Sequence, residues 1–62
     1  MKLSKKMVDG INGQINMELS SSYVYLAMSA WCESKHFGGS ARWFRLQAQE
    51  EMEHAMRLYK VL

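Results

Sequence analysis

The chain contains no proline, so nothing in it lacks the backbone N–H that a helix interior needs, and only its four glycines offer local breaks. A single cysteine, Cys32, excludes an internal disulfide. The longest apolar run, Tyr23 to Met28, falls far short of the roughly 18 residues that span a bilayer. The formal charge is only +2 and the lysines and arginines are dispersed, which argues against nucleic acid or an anionic membrane surface as a partner. There is no internal repeat or low-complexity tract. The opening Met1-Lys2-Leu3-Ser4-Lys5-Lys6 is similar to the basic end of a signal peptide, but Asp9, Gly10, Asn12 and Gly13 then prevent an apolar core. No export signal is expected, and an unpaired Cys32 fits a reducing cytoplasm.

Sixty-two residues allow one domain, residues 1–62. A chain of this size buries only about 60% of the surface its unfolded form exposes. Small chains offset that deficit with disulfides, a structural metal or oligomerisation, and the first is excluded here. A metal, a partner, or both are therefore expected.

What is present is helical periodicity. Val8, Ile11, Ile15, Leu19, Ser22, Leu26 and Ala30 recur at steps of three and four, predicting a buried stripe on a helix over about 4–35, with Ser4 as its N-cap. Asp9-Gly10 and Asn12-Gly13 read locally as turns, but the periodicity overrides them. A turn is expected at about 36–39, where Gly38 and Gly39 can adopt left-handed conformations and Ser40 can cap a second helix over about 40–62. On that helix Phe44, Gln47 or Ala48, Glu51, His54 or Ala55, Leu58 and Leu62 share one face. No strand is needed, and the predicted fold is an all-α antiparallel hairpin.

Two acids and one imidazole stand out because they fall on apolar faces. Glu51 and His54 are three residues apart and point the same way. Glu18 interrupts the stripe of the first helix, and antiparallel register brings it level with them: Glu18 and His54 are symmetric about position 36, Glu18 and Glu51 about position 34.5. Carboxylates with one imidazole are a hard to borderline donor set suited to iron or manganese, whereas a structural zinc site favours thiolates. Tyr25 lies two turns beyond Glu18 on the same face, with a phenol able to donate a hydrogen bond or an electron to bound metal and oxygen. Glu50 is rotated by about 100° from Glu51 and could hold a further ion.

Each feature has a plainer reading. A lone Glu and His three apart on a helix are ordinarily a solvated pair, but here they share the face of Phe44 and Leu58, and a buried charge must be paired or bound to metal. Tyr25 alone reads as a core aromatic, Glu50 and Glu53 as a solvated acidic face, and His36 as a loop residue in water. Trp31, Trp43, Cys32 and the methionines read as packing.

The stretches Asn12-Gly13-Gln14-Ile15-Asn16-Met17-Glu18-Leu19-Ser20-Ser21-Ser22-Tyr23, Met28-Ser29-Ala30-Trp31-Cys32 and Ala48-Gln49-Glu50-Glu51-Met52-Glu53-His54-Ala55-Met56 resemble the first half of a bacterial non-haem ferritin. The resemblance covers nearly the whole chain and implies two helices of a four-helix bundle. It also implies iron storage with ferroxidase activity, Fe(II) being oxidised by dioxygen or peroxide at a di-iron site and passed to a mineral. By resemblance, Glu18 is a terminal ligand, Glu51 the bridging carboxylate, His54 the imidazole ligand, Tyr25 the tyrosine near the centre and Glu50 a ligand of an accessory third iron. A ferritin subunit is more than twice this length, and the helices that complete its second iron position are absent. A homo-oligomer is therefore expected: a homodimer completing the bundle if the chain is a half-length member, or a ferritin cage if it is a fragment of a full-length subunit.

Three alternatives stand beside this expectation. The chain could be a catalytically silent hairpin that only associates with ferritin-like subunits. It could bind haem, since Met52 falls within Glu51-x-x-His54, where bacterioferritins carry a haem-ligating methionine. Rubrerythrin-like peroxidase chemistry follows the same ligand logic, and fold alone cannot separate these activities.

Overall fold

A computed structural model describes residues 3–62, so Met1 and Lys2 of the basic opening lie outside the described residues. Two helices account for nearly all of them: α1, Lys5–Ser34, and α2, Gly38–Val61. No strand occurs among the described residues. Ser4 caps α1 as its position suggests, its hydroxyl accepting from the Met7 N–H at 3.2 Å. Gly10 and Gly13 both sit inside the helix, where tertiary burial of the surrounding periodic positions outweighs local turn preference.

The turn is built differently from the expectation. Gly38 and Gly39 have negative φ and open α2, while His36, at φ 64°, takes the left-handed position. Around it the Phe37 N–H donates to the Cys32 carbonyl at 2.8 Å and the His36 N–H to the Glu33 carbonyl at 3.1 Å, the paired bonds of a Schellman motif. The Trp31 and Phe37 rings, 6.3 Å apart, supply the apolar contact that accompanies this motif. Histidine is among the side chains that tolerate the left-handed region, so glycine was not required there. Phe37 rather than Ser40 holds the N-cap position of α2, and it makes no side-chain capping bond.

The helices meet along a seam of small residues. Ala41, Ala48 and Ala55 on α2 are buried at seven-residue spacing, facing Ser22, Ser29 and Cys32 of α1. Their size lets the backbones approach until Ser22 Oγ donates to the Ala48 carbonyl at 2.8 Å and Ser29 Oγ to the Ala41 carbonyl at 2.6 Å. Both bonds join positions symmetric about residue 35, which fixes the register. The expected α1 stripe holds at Val8, Ile11, Ile15 and Ser22 and is corrected elsewhere: Leu19, Leu26 and Ala30 are exposed, and the seam takes in Glu18, Tyr25, Ser29 and Cys32. Close packing selected small and seam-level residues and left the larger apolar ones outside.

The result is one layer, 49 Å long and 9 Å thick. Large apolar side chains remain open on it, including Met17, Tyr23, Val24, Trp31, Trp43 and Tyr59. No helix among the described residues is long and apolar enough to cross a membrane.

Candidate metal centre

The seam places Glu18 of α1 beside Glu51 and His54 of α2. His54 Nδ1 lies 3.5 Å from Glu18 Oε2 and 3.9 Å from Glu51 Oε2. Each residue contributes one donor atom to a group within 4.8 Å, the group of three metal-capable side chains found among the described residues. The side chains of Glu18 and Glu51 are 17% and 21% exposed, His54 47%. The acids are thus held against the layer while the imidazole reaches in from its edge.

Two carboxyl groups in contact cannot both ionise freely. A hydrogen bond to Glu18, then burial and the Glu18 charge, push the Glu51 carboxyl above the ordinary carboxylate range; the Glu50 charge adds to this and His54 opposes it. Glu18 is held below that range, first by the hydrogen bond from Glu51 and then by one from the Gln14 amide, with His54 adding to it and burial opposing. Of the two, Glu18 is thus the easier to ionise and Glu51 the harder.

The donor chemistry fits a divalent cation. Two bonds of about 2.1 Å to one ion let the donor atoms stand at most about 4.2 Å apart, and both separations from His54 Nδ1 lie within that span. Three donors are only half of the six oxygen and nitrogen ligands that an octahedral ion takes. The remainder would have to come from water or from other helices.

Tyr25 is half-buried, its ring edge-on to Trp43 at 6.4 Å and stacked on Phe44 at 6.2 Å. Glu50 is exposed and outside the three-residue group, touching it only through its charge on Glu51. Met52 lines a separate groove with Ser22, Leu26, Arg45, Ala48 and Gln49. Cys32 is buried in the seam and free. Sequence reasoning did not single out Gln14, whose Nε2 donates to Glu18 Oε1 at 2.9 Å. Its spacing of four from Glu18 was the signal.

An all-α hairpin carrying Glu18 and Glu51-x-x-His54 at one level has half of the inward-facing ligand pattern of carboxylate-bridged helical bundles. The family model of the ferritin-like domain matches residues 8–62, and the chain belongs to that family. It is 47% identical over 60 residues to the bacterial non-heme ferritin of Escherichia coli O157:H7, covering 97% of this chain and 36% of that protein. A probable bacterial non-heme ferritin-like protein of Haemophilus influenzae is 43% identical over 60 residues, with the same 97% and 36% coverage. The bacterial non-heme ferritin of Staphylococcus aureus is 35% identical over 60 residues, again covering 97% and 36%. The chain thus spans little more than a third of the length of these curated relatives. No solved structure matches it.

Proposed function

We propose that this chain supplies two helices of an iron-storing bundle and, through Glu18, Glu51 and His54, half of a di-iron centre that oxidises Fe(II) in the cytoplasm. The observation that carries the reading is the meeting of three hard to borderline donors from two helices within 4.8 Å. Kinship with non-heme ferritins supports iron as the ion. Fe(II) is the substrate: two ions each give one electron to dioxygen, which with two protons leaves as hydrogen peroxide. The residues bind and orient. Both carboxylates ligate in their ionised form and offset the incoming charge, and a bound cation favours that form of Glu51. By family resemblance Tyr25, held by Trp43 and Phe44, would be the tyrosine near the centre, and Glu50 a ligand of a further cation.

The open layer needs two more helices. A second copy related by a two-fold axis would supply Glu18, Glu51 and His54 again, giving six protein ligands. Light scattering on the eluting 62-residue protein, with and without anaerobic Fe(II), tests this; a monomer in both conditions refutes the homodimer. For the activity, aerobic Fe(II) added to the assembled protein is expected to give Fe(III) absorbance faster than buffer, with the excess lost in Glu51→Ala. Equal rates in the two proteins refute the ferroxidase reading.

A further inference from the structure

We propose that Gln14 is a positioning residue of the centre: its side-chain amide ties one oxygen of Glu18 to α1 so that the other is presented to the cation. This rests on the metal-binding reading above. Gln14 Nε2 stands 2.9 Å from Glu18 Oε1, while Glu18 Oε2 is the oxygen that faces His54 Nδ1 at 3.5 Å. The two oxygens therefore have different partners. A carboxylate only accepts hydrogen bonds, so the amide nitrogen, not its oxygen, is turned towards Glu18.

Glu18 is the ligand that most needs such a brace. Glu51 and His54 sit on the same helix, three residues apart and one above the other. Glu18 reaches the group alone from α1, along a flexible side chain that could swing, or could offer both oxygens to one ion. A donor fixed one turn earlier commits Oε1 and leaves Oε2 as a single ligand at a set angle. The ordering is then done before the ion arrives and does not subtract from its binding. Loss of an outer partner of this kind typically weakens metal binding or activity about 10–100-fold.

Gln14 is exposed and takes no part in the Ser22, Ser29, Ala41, Ala48 and Ala55 seam, so the hairpin does not depend on it. A substitution there can alter the centre without unfolding the protein. Leucine at this position keeps helical propensity and bulk but has no N–H to donate.

The test uses anaerobic Co(II) as the probe, titrated into the assembled protein and followed by its visible absorption, with a thermal melt of each variant. Gln14→Leu is expected to weaken Co(II) binding about 10–100-fold, to change the visible band as Glu18 alters its mode of ligation, and to leave the melting temperature of the metal-free protein unchanged. Glu18→Ala serves as the reference and is expected to weaken binding further. Native affinity and an unchanged band in Gln14→Leu, with binding lost in Glu18→Ala, overturn the positioning role and leave the metal centre standing. Native binding in Glu18→Ala overturns the metal reading itself. A loss of affinity in Gln14→Leu matched by a fall in melting temperature, with the band of the bound ion unchanged, also overturns the proposal, because a structural role alone predicts that pattern.

Discussion

Replacing Ala48 with leucine puts an isobutyl group where a methyl sits at 6% exposure, on the line where the two backbones come closest. Overpacking of this kind costs about 1–3 kcal/mol. Pushing α2 away also breaks the 2.8 Å bond from Ser22 Oγ to the Ala48 carbonyl, and a buried hydroxyl left without a partner costs about 1–3 kcal/mol more. At about 4–8 °C per kcal/mol for a domain of this size, the melting temperature should fall by about 8 °C or more. The centre should suffer as well. Ala48 lies one turn before Glu51, and the Glu18–His54 separation of 3.5 Å leaves only about 0.7 Å before it exceeds what one ion bridges. Ser22→Ala is the control, removing about 0.5–1.5 kcal/mol of hydrogen bonding without widening the seam. Circular dichroism melts and anaerobic Co(II) titrations on both variants provide the measurements. Expected are a large fall in melting temperature and in affinity for Ala48→Leu, and a small fall in melting temperature alone for Ser22→Ala. Native stability and affinity in Ala48→Leu would refute the account of the seam and its control of the site.

Other outcomes follow from local geometry. A Cβ at Gly13 would meet nothing within 4 Å, so Gly13→Ala should stabilise α1 by about 0.5–1 kcal/mol; an unchanged or lower melting temperature would show that something packs there. His36→Gly removes a side chain from a φ of 64° and should gain up to about 1 kcal/mol, a prediction that fails if the variant melts earlier. Glu51 must be ionised to ligate Co(II), and its carboxyl is raised above the ordinary value of 4.5. The part of the affinity that Glu51→Gln removes should therefore begin to fall before pH 4.5 is reached, and then drop about tenfold per unit for one proton bound. No loss of that part above pH 4.5 would contradict the raised Glu51 carboxyl.

Helix type, the Ser4 cap and the bringing together of Glu18, Glu51 and His54 were all legible from spacing, because periodicity and antiparallel register depend only on position along the chain. The buried stripe of α1 was legible only in part. Val8, Ile11, Ile15 and Ser22 turn inward as the periodicity predicts, but Leu19 and Leu26 are exposed, while Ser29 and Cys32 fill the seam. Hydropathy identifies residues that need covering but not what covers them, and the first neighbour of α1 is chosen by close approach and by carbonyls in reach of a serine hydroxyl. The turn misled for a related reason. Two adjacent glycines are the strongest local signal for a left-handed residue, but the paired bonds to Cys32 and Glu33 place that residue at His36. Gln14 needed coordinates, since many residues four apart on a helix never meet.

These departures have a common physical origin. The chain spends its smallest side chains on joining α1 to α2 and leaves its largest ones open, so the hairpin is a layer prepared for further helices. The centre shows the same incompleteness. Three donors converge, yet His54 is 47% exposed, and charges open to water attract a cation far less strongly than the same charges enclosed. Enclosure by another helix pair would add ligands and lower the local dielectric together, strengthening each bond to the ion already in reach. An ion that binds the enclosed centre better must favour enclosure to the same extent, because the coupling between the two equilibria is reciprocal. On the proposed reading, cation binding and completion of the bundle would therefore be two sides of one equilibrium, and the small-residue seam, by holding Glu18 level with Glu51 and His54, would let a single hairpin contribute to both.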